Sequence, residues 1–271
     1  MSNSAPANDL DRAIMAVQRS KASLPELYRQ LAAGELWFLL PYHPEIEGEL
    51  LELKNGSPLP FASLTDQQGE AVPLFSSEAR LEEGLEKGRV PARTYLAGSM
   101  PAIQVLEILG KVGLRAVINK SCATGQVTLP PDLMRDLADG SALAPIPLGE
   151  REHGKLKILN PADYPTDLIQ PVFELLRRHK NFRAAWIFGA TDAKPQPASG
   201  RGYQLLLLME PRDAVIFHDL NMTVAAARPK THEVRLGLLD EKDVNFIEQL
   251  FRKAPPFYTA ADYTWRPGSL A

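Results

Sequence analysis

The sequence predicts an α/β (or α+β) protein with two domains, each a small mixed β-sheet packed with helices. Short apolar runs such as ELWFLLP, LRAVIN and YQLLLLME are typical of buried strands, and helical patterns alternate with them. This alternation is expected when helices pack on a sheet. The 271 residues exceed the usual size of one domain, and residues 142–165 are rich in proline, glycine and charge. We therefore expect a first domain at 1–150 and a second at 151–271.

The first half begins with two helices and a strand. DLDRAIMAVQRS carries apolar residues at helical spacing, and LPELYRQLAAG predicts a second helix. ELWFLLP predicts a buried strand. In LPFASLTDQQGEAVPLF, two apolar runs flank a turn at residues 66–69, which predicts a pair of strands. Ser76 or Ser77 is expected to cap a helix that begins near Glu78, because serine hydroxyls accept hydrogen bonds from the free N–H groups there.

The remainder of the first half also alternates helices with strands. Ser99, Met100 and Pro101 are expected to open a helix that Gly110 and Gly113 end, and the strand LRAVIN follows it. A turn, NKSCATGQ, leads into the strand VTL. The pair PP then opens the helix LMRDLADG, since proline is well accepted in the first turn of a helix.

The second half predicts the order α-β-β-α-β-α. A helix around residues 168–176 precedes the strands FRAAWIFGATD and YQLLLLME, which a proline-rich loop joins. A helix is predicted from Pro211 into AVIFHDLNMTVAAA. HEVRLGLLD predicts a strand and EKDVNFIEQLFRKA a final helix. The run LLLL lacks alternation, which is typical of a central strand covered on both faces.

Composition and charge argue against one class of function. The chain is 45% hydrophobic and 23% charged, as in an ordinary globular protein. Its net charge of -3 argues against general nucleic-acid binding, because that binding depends on neutralising phosphates. Residues 1–150 hold 13 Lys and Arg against 19 Asp and Glu, a net -6, whereas residues 151–271 hold 17 against 14, a net +3. This division could steer a partner or orient the halves, or it could be drift.

Localisation is inferred from absences. No run approaches the roughly 18 apolar residues that a membrane helix needs. The polar, acidic N-terminus MSNSAPANDLDRAIM lacks the features of a secretory signal. The single cysteine, Cys122, allows no internal disulfide and agrees with a reducing compartment. We therefore expect a cytoplasmic protein without membrane association. The sequence leaves open whether the protein forms a homo-oligomer.

The search for catalytic motifs finds none that specifies a reaction. The sequence contains no GxGxxG after a strand and no Walker loop, HExxH or GxSxG motif. Cys122 lies two residues from Lys120, and a nearby cation can lower the pKa of a thiol. No histidine occurs in that segment, so a small structural cysteine is the favoured interpretation. We assign no catalytic residue and keep a thiol-dependent enzyme using Cys122 as an alternative.

Histidines and carboxylates do not form a metal-binding pattern. The five histidines, at positions 43, 153, 179, 218 and 232, are scattered, and no second cysteine completes a zinc site. The acids at positions 45, 47, 49 and 52, and those at 132, 136 and 139, fit solvated faces. We therefore predict no metal site and no cofactor.

Aromatic residues concentrate near the C-terminus, in APPFYTAADYTWRPGSLA. Phe257, Tyr258, Tyr263 and Trp265 either fold back onto their own domain or anchor a partner protein, since aromatic side chains serve both purposes. Packing on their own domain is the favoured interpretation. Partner binding by these four residues is the alternative, and it is the only binding site that the sequence suggests.

Several of these segments resemble the SseB family, named for enhanced serine sensitivity. LPFASLTDQQGEAVPLFSSEARL and AVINKSCATGQVTLPPDLMRDL are similar to segments of its N-terminal domain. YPTDLIQPVFELLRRHKNFRAAWIF, LLLLME and the terminal PPFY are similar to its C-terminal domain. The loop after Asn119 departs from the Asn-Pro-Gly expected in the family. The resemblance implies no catalytic residues; it implies a link to serine metabolism, and family labels also mention type III secretion.

These observations lead to one favoured function and two alternatives. We favour a non-enzymatic binding or regulatory protein associated with serine sensitivity, because the polar residues are accounted for by caps, turns and solvated faces. It would act by binding a protein or a small molecule. The first alternative is a secretion-associated chaperone or immunity-like partner protein. The second is an enzyme with an unrecognised site, such as the thiol-dependent one.

Overall fold

The computed structural model describes eight stretches of the chain: residues 5–41, 61–88, 95–145, 155–159, 163–191, 202–229, 232–239 and 244–262. The chain divides into two units. The first consists of Met1–Arg19 and Glu26–Leu143, and the second of Ser20–Pro25 and Ala144–Ala271. The predicted boundary between residues 150 and 151 lies outside the described residues.

The first unit is a mixed sheet with helices. Its helices are α1 (Asp9–Arg19), α2 (Leu24–Ala33), α3 (Glu78–Lys87), α4 (Ala102–Val112) and α5 (Pro131–Ala138). Its strands are β1 (Glu35–Pro41), β2 (Leu64–Asp66), β3 (Gly69–Phe75), β4 (Tyr95–Pro101), β5 (Arg115–Ile118) and β6 (Val127–Leu129). The strand order is β4-β1-β3-β5-β6, and β2 also pairs with β3. Of these pairs, β3 with β5 is parallel and the others are antiparallel.

Local signals account for the ends of several elements. Ser77 caps α3, because its side chain accepts a hydrogen bond from the Arg80 backbone N–H at 3.3 Å. Gly113 ends α4 in the left-handed region, with φ of 75°, where glycine carries no steric cost. Both agree with the prediction, but Gly110, which was also expected to end this helix, lies inside α4. Ser99, Met100 and Pro101 belong to β4 instead of opening a helix, and α4 begins at Ala102.

The strand β4 was not expected from the sequence, and its position explains why. All seven of its residues pair with β1, from Tyr95 opposite Pro41 to Pro101 opposite Glu35. It is an edge strand, none of its residues is fully buried, and its sequence YLAGSMP has no continuous apolar run. Backbone pairing therefore defines this strand, and a hydrophobic pattern does not reveal it.

Within its described residues, the second unit contains a five-stranded mixed sheet. Its helices are α6 (Thr166–Arg178), α7 (Ala214–Ala227) and α8 (Val244–Lys253), and its strands are β7 (Lys155–Ile158), β8 (Phe182–Thr191), β9 (Gly202–Met209), β10 (Glu233–Leu239) and β11 (Tyr258–Thr259). The order is β10-β9-β8-β11, and β7 also pairs with β8. The β9–β10 pair is parallel and the others are antiparallel. The predicted order α-β-β-α-β-α is confirmed, with two short strands added.

The core of the second unit lies on both faces of its sheet. Leu205 and Leu207 pack in a cluster that contains α6 and α7 side chains. Leu206 and Leu208 pack in a second cluster with Ile247 of α8. Because successive strand residues point to opposite faces, the run LLLL supplies both cores, as predicted. The fold class predicted from the sequence is confirmed.

Candidate functional site

Buried polar side chains gather at the edge of the first sheet where β3 and β5 end. Ser76 directly follows β3, and Asn119 directly follows β5. Because these strands are parallel, their carboxyl ends meet at one edge, where open α/β sheets bind ligands. Ser76 and Asn119 meet three more buried polar residues there, and we name the five the polar cluster: Asp11, Ser76, Arg80, Asn119 and Thr124.

Asp11, in the first turn of α1, lies at the centre of the polar cluster and is fully buried. One carboxylate oxygen accepts hydrogen bonds from the Ser76 hydroxyl and from Asn119 Nδ2 at 3.1 Å. The other accepts from Arg80 Nε at 2.8 Å and from the backbone N–H of Ala7 at 2.9 Å. Burial acts to raise the pKa of Asp11, but the hydrogen bonds from Ser76, Ala7 and Arg80 and the charge of Arg80 outweigh it, and the pKa is lowered.

Asn119 fastens the turn after β5 to the end of β3. Its Oδ1 accepts from the Ser76 backbone N–H at 2.9 Å, and its Nδ2 donates to Thr124 Oγ1 at 3.2 Å. Its own backbone N–H donates to the Leu74 carbonyl at 2.8 Å. Asn119 has a φ of 56°, a left-handed conformation that asparagine accepts more readily than most residues. Both its side chain and its backbone therefore suit this position.

Arg80 enters the polar cluster from α3 and is 4% exposed. Besides Asp11, its guanidinium donates to Glu83 Oε2 at 2.6 Å and to the Ala5 carbonyl at 2.7 Å. Glu83 also accepts from Lys87 Nζ at 2.5 Å and from the Ala123 backbone N–H at 2.8 Å. Burial acts to raise the pKa of Glu83, but Lys87, Arg80 and Ala123 lower it to about 2. The buried cation is thus balanced by two carboxylates.

Cys122 lies in the turn beside the polar cluster and is 9% exposed. Its Sγ donates to the Arg80 carbonyl at 3.2 Å. Burial raises the pKa of the thiol to about 11, and the negative charge of Glu83 acts in the same direction. The thiol is therefore protonated at neutral pH, which is the opposite of the low pKa that activates catalytic cysteines.

The other sequence candidates lie apart from this edge or outside the described residues. Asp132 forms an exposed ion pair with Arg135, and Asp139 accepts from the Ser141 backbone N–H at 2.8 Å. The acids at 45–52 and the histidines at 43 and 153 lie outside the described residues. Within the described stretches, no three His, Cys, Asp or Glu side chains are grouped to hold a metal ion. None of the helices described there is long and apolar enough to cross a bilayer.

Two of the four aromatic candidates form part of the second unit. The backbone N–H of Phe257 donates to the Ala185 carbonyl at 2.9 Å, which starts the short pairing of β11 with β8. Tyr258 is 7% exposed, and its hydroxyl donates to the Leu176 carbonyl at 3.2 Å. Burial raises its pKa. Phe257 is half-buried against the same core, and Tyr263 and Trp265 lie outside the described residues.

The polar cluster was not predicted from the sequence, although two features of the sequence indicate it. The sequence predicted Ser76 or Ser77 as a helix cap, and Ser77 fills that role. Asp11 follows Leu10 and precedes Ile14 on the buried side of α1, where a carboxylate needs a partner. Polar residues directly after two buried strands are the second signal, but it becomes informative only once the strands are known to be parallel neighbours.

Comparison with family models decides the relationship of this chain. The model of the SseB protein N-terminal domain matches residues 10–136, and that of the SseB protein C-terminal domain matches residues 151–260. The chain belongs to the SseB family. The resemblance seen in the sequence is thereby confirmed. Comparisons with curated proteins and with solved structures find no match to this SseB chain.

The two SseB matches divide the candidate residues between them. All five residues of the polar cluster lie within the SseB N-terminal match, which starts one residue before Asp11. Phe257 and Tyr258 lie within the SseB C-terminal match, which ends at residue 260. Tyr263 and Trp265 lie beyond both matches.

Proposed function

We propose that this SseB chain is a non-enzymatic cytosolic protein that acts by binding, as an adaptor or modulator linked to serine sensitivity. The observation that carries the proposal is the internal hydrogen bonding of the polar cluster. It occupies the sheet edge where an α/β protein would hold a ligand, yet Asp11, Ser76 and Asn119 bond to one another. The link to serine comes from the family name.

The burial of the polar cluster supports a structural role for it. Ser76 is 2% exposed and Asp11 is 0% exposed, so a substrate could not reach either group without local opening. Catalysis needs several polar groups that are arranged around a point open to substrate. Here the same groups join α1, α3 and the turn after β5. The exterior of the protein is therefore the surface proposed for recognition.

The proposal is tested by a binding panel. Calorimetry with serine and related amino acids, and pull-down with the enzymes that make and consume serine, should give at least one saturable interaction. Heat-unfolded protein serves as the control for non-specific binding. If no ligand or enzyme of the panel binds, the proposed link to serine is wrong.

A protein-partner function, of the chaperone or immunity type, is the alternative that the aromatic C-terminus favours. The structure shows which C-terminal deletion tests this alternative without removing β11. Deletion from residue 256 removes the buried Tyr258 ring and its hydrogen bond, so it should destabilise the second unit. Deletion from residue 263 removes Tyr263 and Trp265 and leaves β11 in place. If this shorter deletion leaves every complex intact, these two residues do not anchor a partner.

A further inference from the structure

Cations concentrate at the carboxyl end of α6 and the start of β8. Residues 171–183 contain Arg177, Arg178, Lys180 and Arg183 against a single carboxylate, Glu174. Arg177, Arg178 and Lys180 are exposed. The net charge of this stretch is +3, which equals the net +3 of the whole of residues 151–271.

An aromatic side chain lies beneath one of these cations, Arg177. The Arg177 guanidinium carbon is 5.8 Å from the centre of the Phe173 ring, a cation–π distance. Phe173 in turn packs edge-on against Tyr258, with the ring centres 5.7 Å apart. Because Tyr258 is hydrogen-bonded to α6 through Leu176, Phe173 is fixed to the core of the unit. We name the basic–aromatic surface by its residues: Phe173, Arg177, Arg178, Lys180 and Arg183.

The positive charge of this surface is only weakly neutralised. No carboxylate of the described stretches forms an ion pair with Arg177 or Lys180. Arg183 pairs with Asp262 at 3.6 Å, but Asp262 is 75% exposed, and such a pair contributes little. Arg178 donates to the Ala22 carbonyl at 3.1 Å, a neutral group, and the exposed Lys21 is adjacent in sequence to Ala22. The surface therefore keeps most of its charge.

A comparison with α8 shows that this is more than the usual basic end of a helix. Basic residues are favoured in the last turn of a helix because they complement its dipole, and α8 also ends with Arg252 and Lys253. The end of α6 has two further features: the cation Arg183 from β8, and Arg177 held over the partly buried ring of Phe173. Since Arg177 is already held against Phe173, less side-chain freedom would be lost when it binds.

We propose that the basic–aromatic surface binds an acidic segment of a partner protein. This rests on the binding function proposed above and names its surface and the chemistry of the partner. Arginine and aromatic side chains dominate the binding energy of protein interfaces, and a positive surface requires a negative partner. The net charge of -3 for the whole chain favours a local acidic segment over nucleic acid, whose long phosphate backbone would meet the rest of the surface.

The test uses a short fluorescein-labelled peptide of glutamates with a central phenylalanine, measured by anisotropy with the full-length protein. The same peptide with lysine in place of glutamate, and a single-stranded oligonucleotide, are comparison probes. R177Q/K180Q should weaken binding of the glutamate peptide by about five- to tenfold, and added salt should weaken it further. R252Q/K253Q makes the same charge change at the end of α8, which packs on the opposite face of the sheet, and should change binding less than about twofold.

Three results would overturn the assignment: no binding of the glutamate peptide, equal losses in both double variants, or tighter binding of the oligonucleotide. Thermal unfolding of both double variants verifies that they remain folded. If one of these results overturns the assignment of the basic–aromatic surface, but the panel of serine-related ligands and enzymes identifies a partner, the proposed binding function stands without this surface. If that panel also fails, both proposals fall.

Discussion

Replacing Asp11 with alanine tests whether the polar cluster holds the first unit together. Asp11→Ala removes the acceptor of four hydrogen bonds, from Ala7, Ser76, Arg80 and Asn119. All the side chains involved are buried, so water cannot replace the lost partner without opening the structure. The prediction is a large loss of stability in the first unit.

The magnitude follows from the surroundings of Arg80. Removing one member of a buried ion pair costs about 3–5 kcal/mol, because the remaining charge is left uncompensated. Arg80 keeps Glu83 at 2.6 Å and the Ala5 carbonyl at 2.7 Å, which places the expected cost at the lower end, about 3 kcal/mol. The control is Asp9→Ala in the same helical turn. Asp9 is 62% exposed and pairs with an exposed Arg12, so its loss should cost about 1 kcal/mol or less.

Hydrogen exchange is the suitable assay because the chain has two units, and a single unfolding curve would mix them. The amides of β5 report on the first unit. Their protection should fall about a hundredfold in Asp11→Ala and by less than about tenfold in Asp9→Ala. Equal protection in the two variants would refute the reasoning, because the buried network would then add nothing beyond an exposed pair.

Three further predictions address single groups. The pKa of Glu83 is lowered from 4.5 to about 2 in the folded protein, so its contribution is present above the unfolded pKa; the first unit should therefore lose stability as pH falls from about 5 to about 2. Across this range the protection of the β5 amides, corrected for the pH dependence of intrinsic exchange, should vary less with pH in Glu83→Gln than in the unaltered protein. Parallel curves for the two proteins would contradict the lowered pKa of Glu83. Cys122, with its pKa raised to about 11, should react with iodoacetamide at pH 8 at least about a hundredfold more slowly in the folded than in the unfolded protein; rates within about tenfold would contradict its protection. Tyr258→Phe keeps the buried ring and removes the hydrogen bond to Leu176, so β9 amides should lose about 1 kcal/mol of protection, and no loss would mean that this bond is not stabilising.

Most elements of this SseB chain could be predicted because they carry local signals. Apolar runs and helical spacing located β1, β9 and α6, and Ser77 and Gly113 marked helix ends through their own backbone chemistry. β4, β7 and β11 could not be found in this way, because none of them contains a continuous apolar run and their existence depends on a pairing partner. The Cys122 thiol shows the same limit: Lys120 nearby suggested a lowered pKa, whereas burial raises it.

The amino-acid sequence by itself determined the fold class, the order of the main elements and the SseB relationship, because periodicity and turn residues act over a few neighbouring positions. Only the tertiary structure decided that Asp11, Ser76 and Asn119 meet, although 65 to 108 residues separate Asp11 from the other two. It also decided that Arg177 lies over Phe173 and that Phe173 packs against the buried Tyr258. Hydrogen bonds and ring contacts depend on distance in space, and only the packing of the sheets and helices sets that distance.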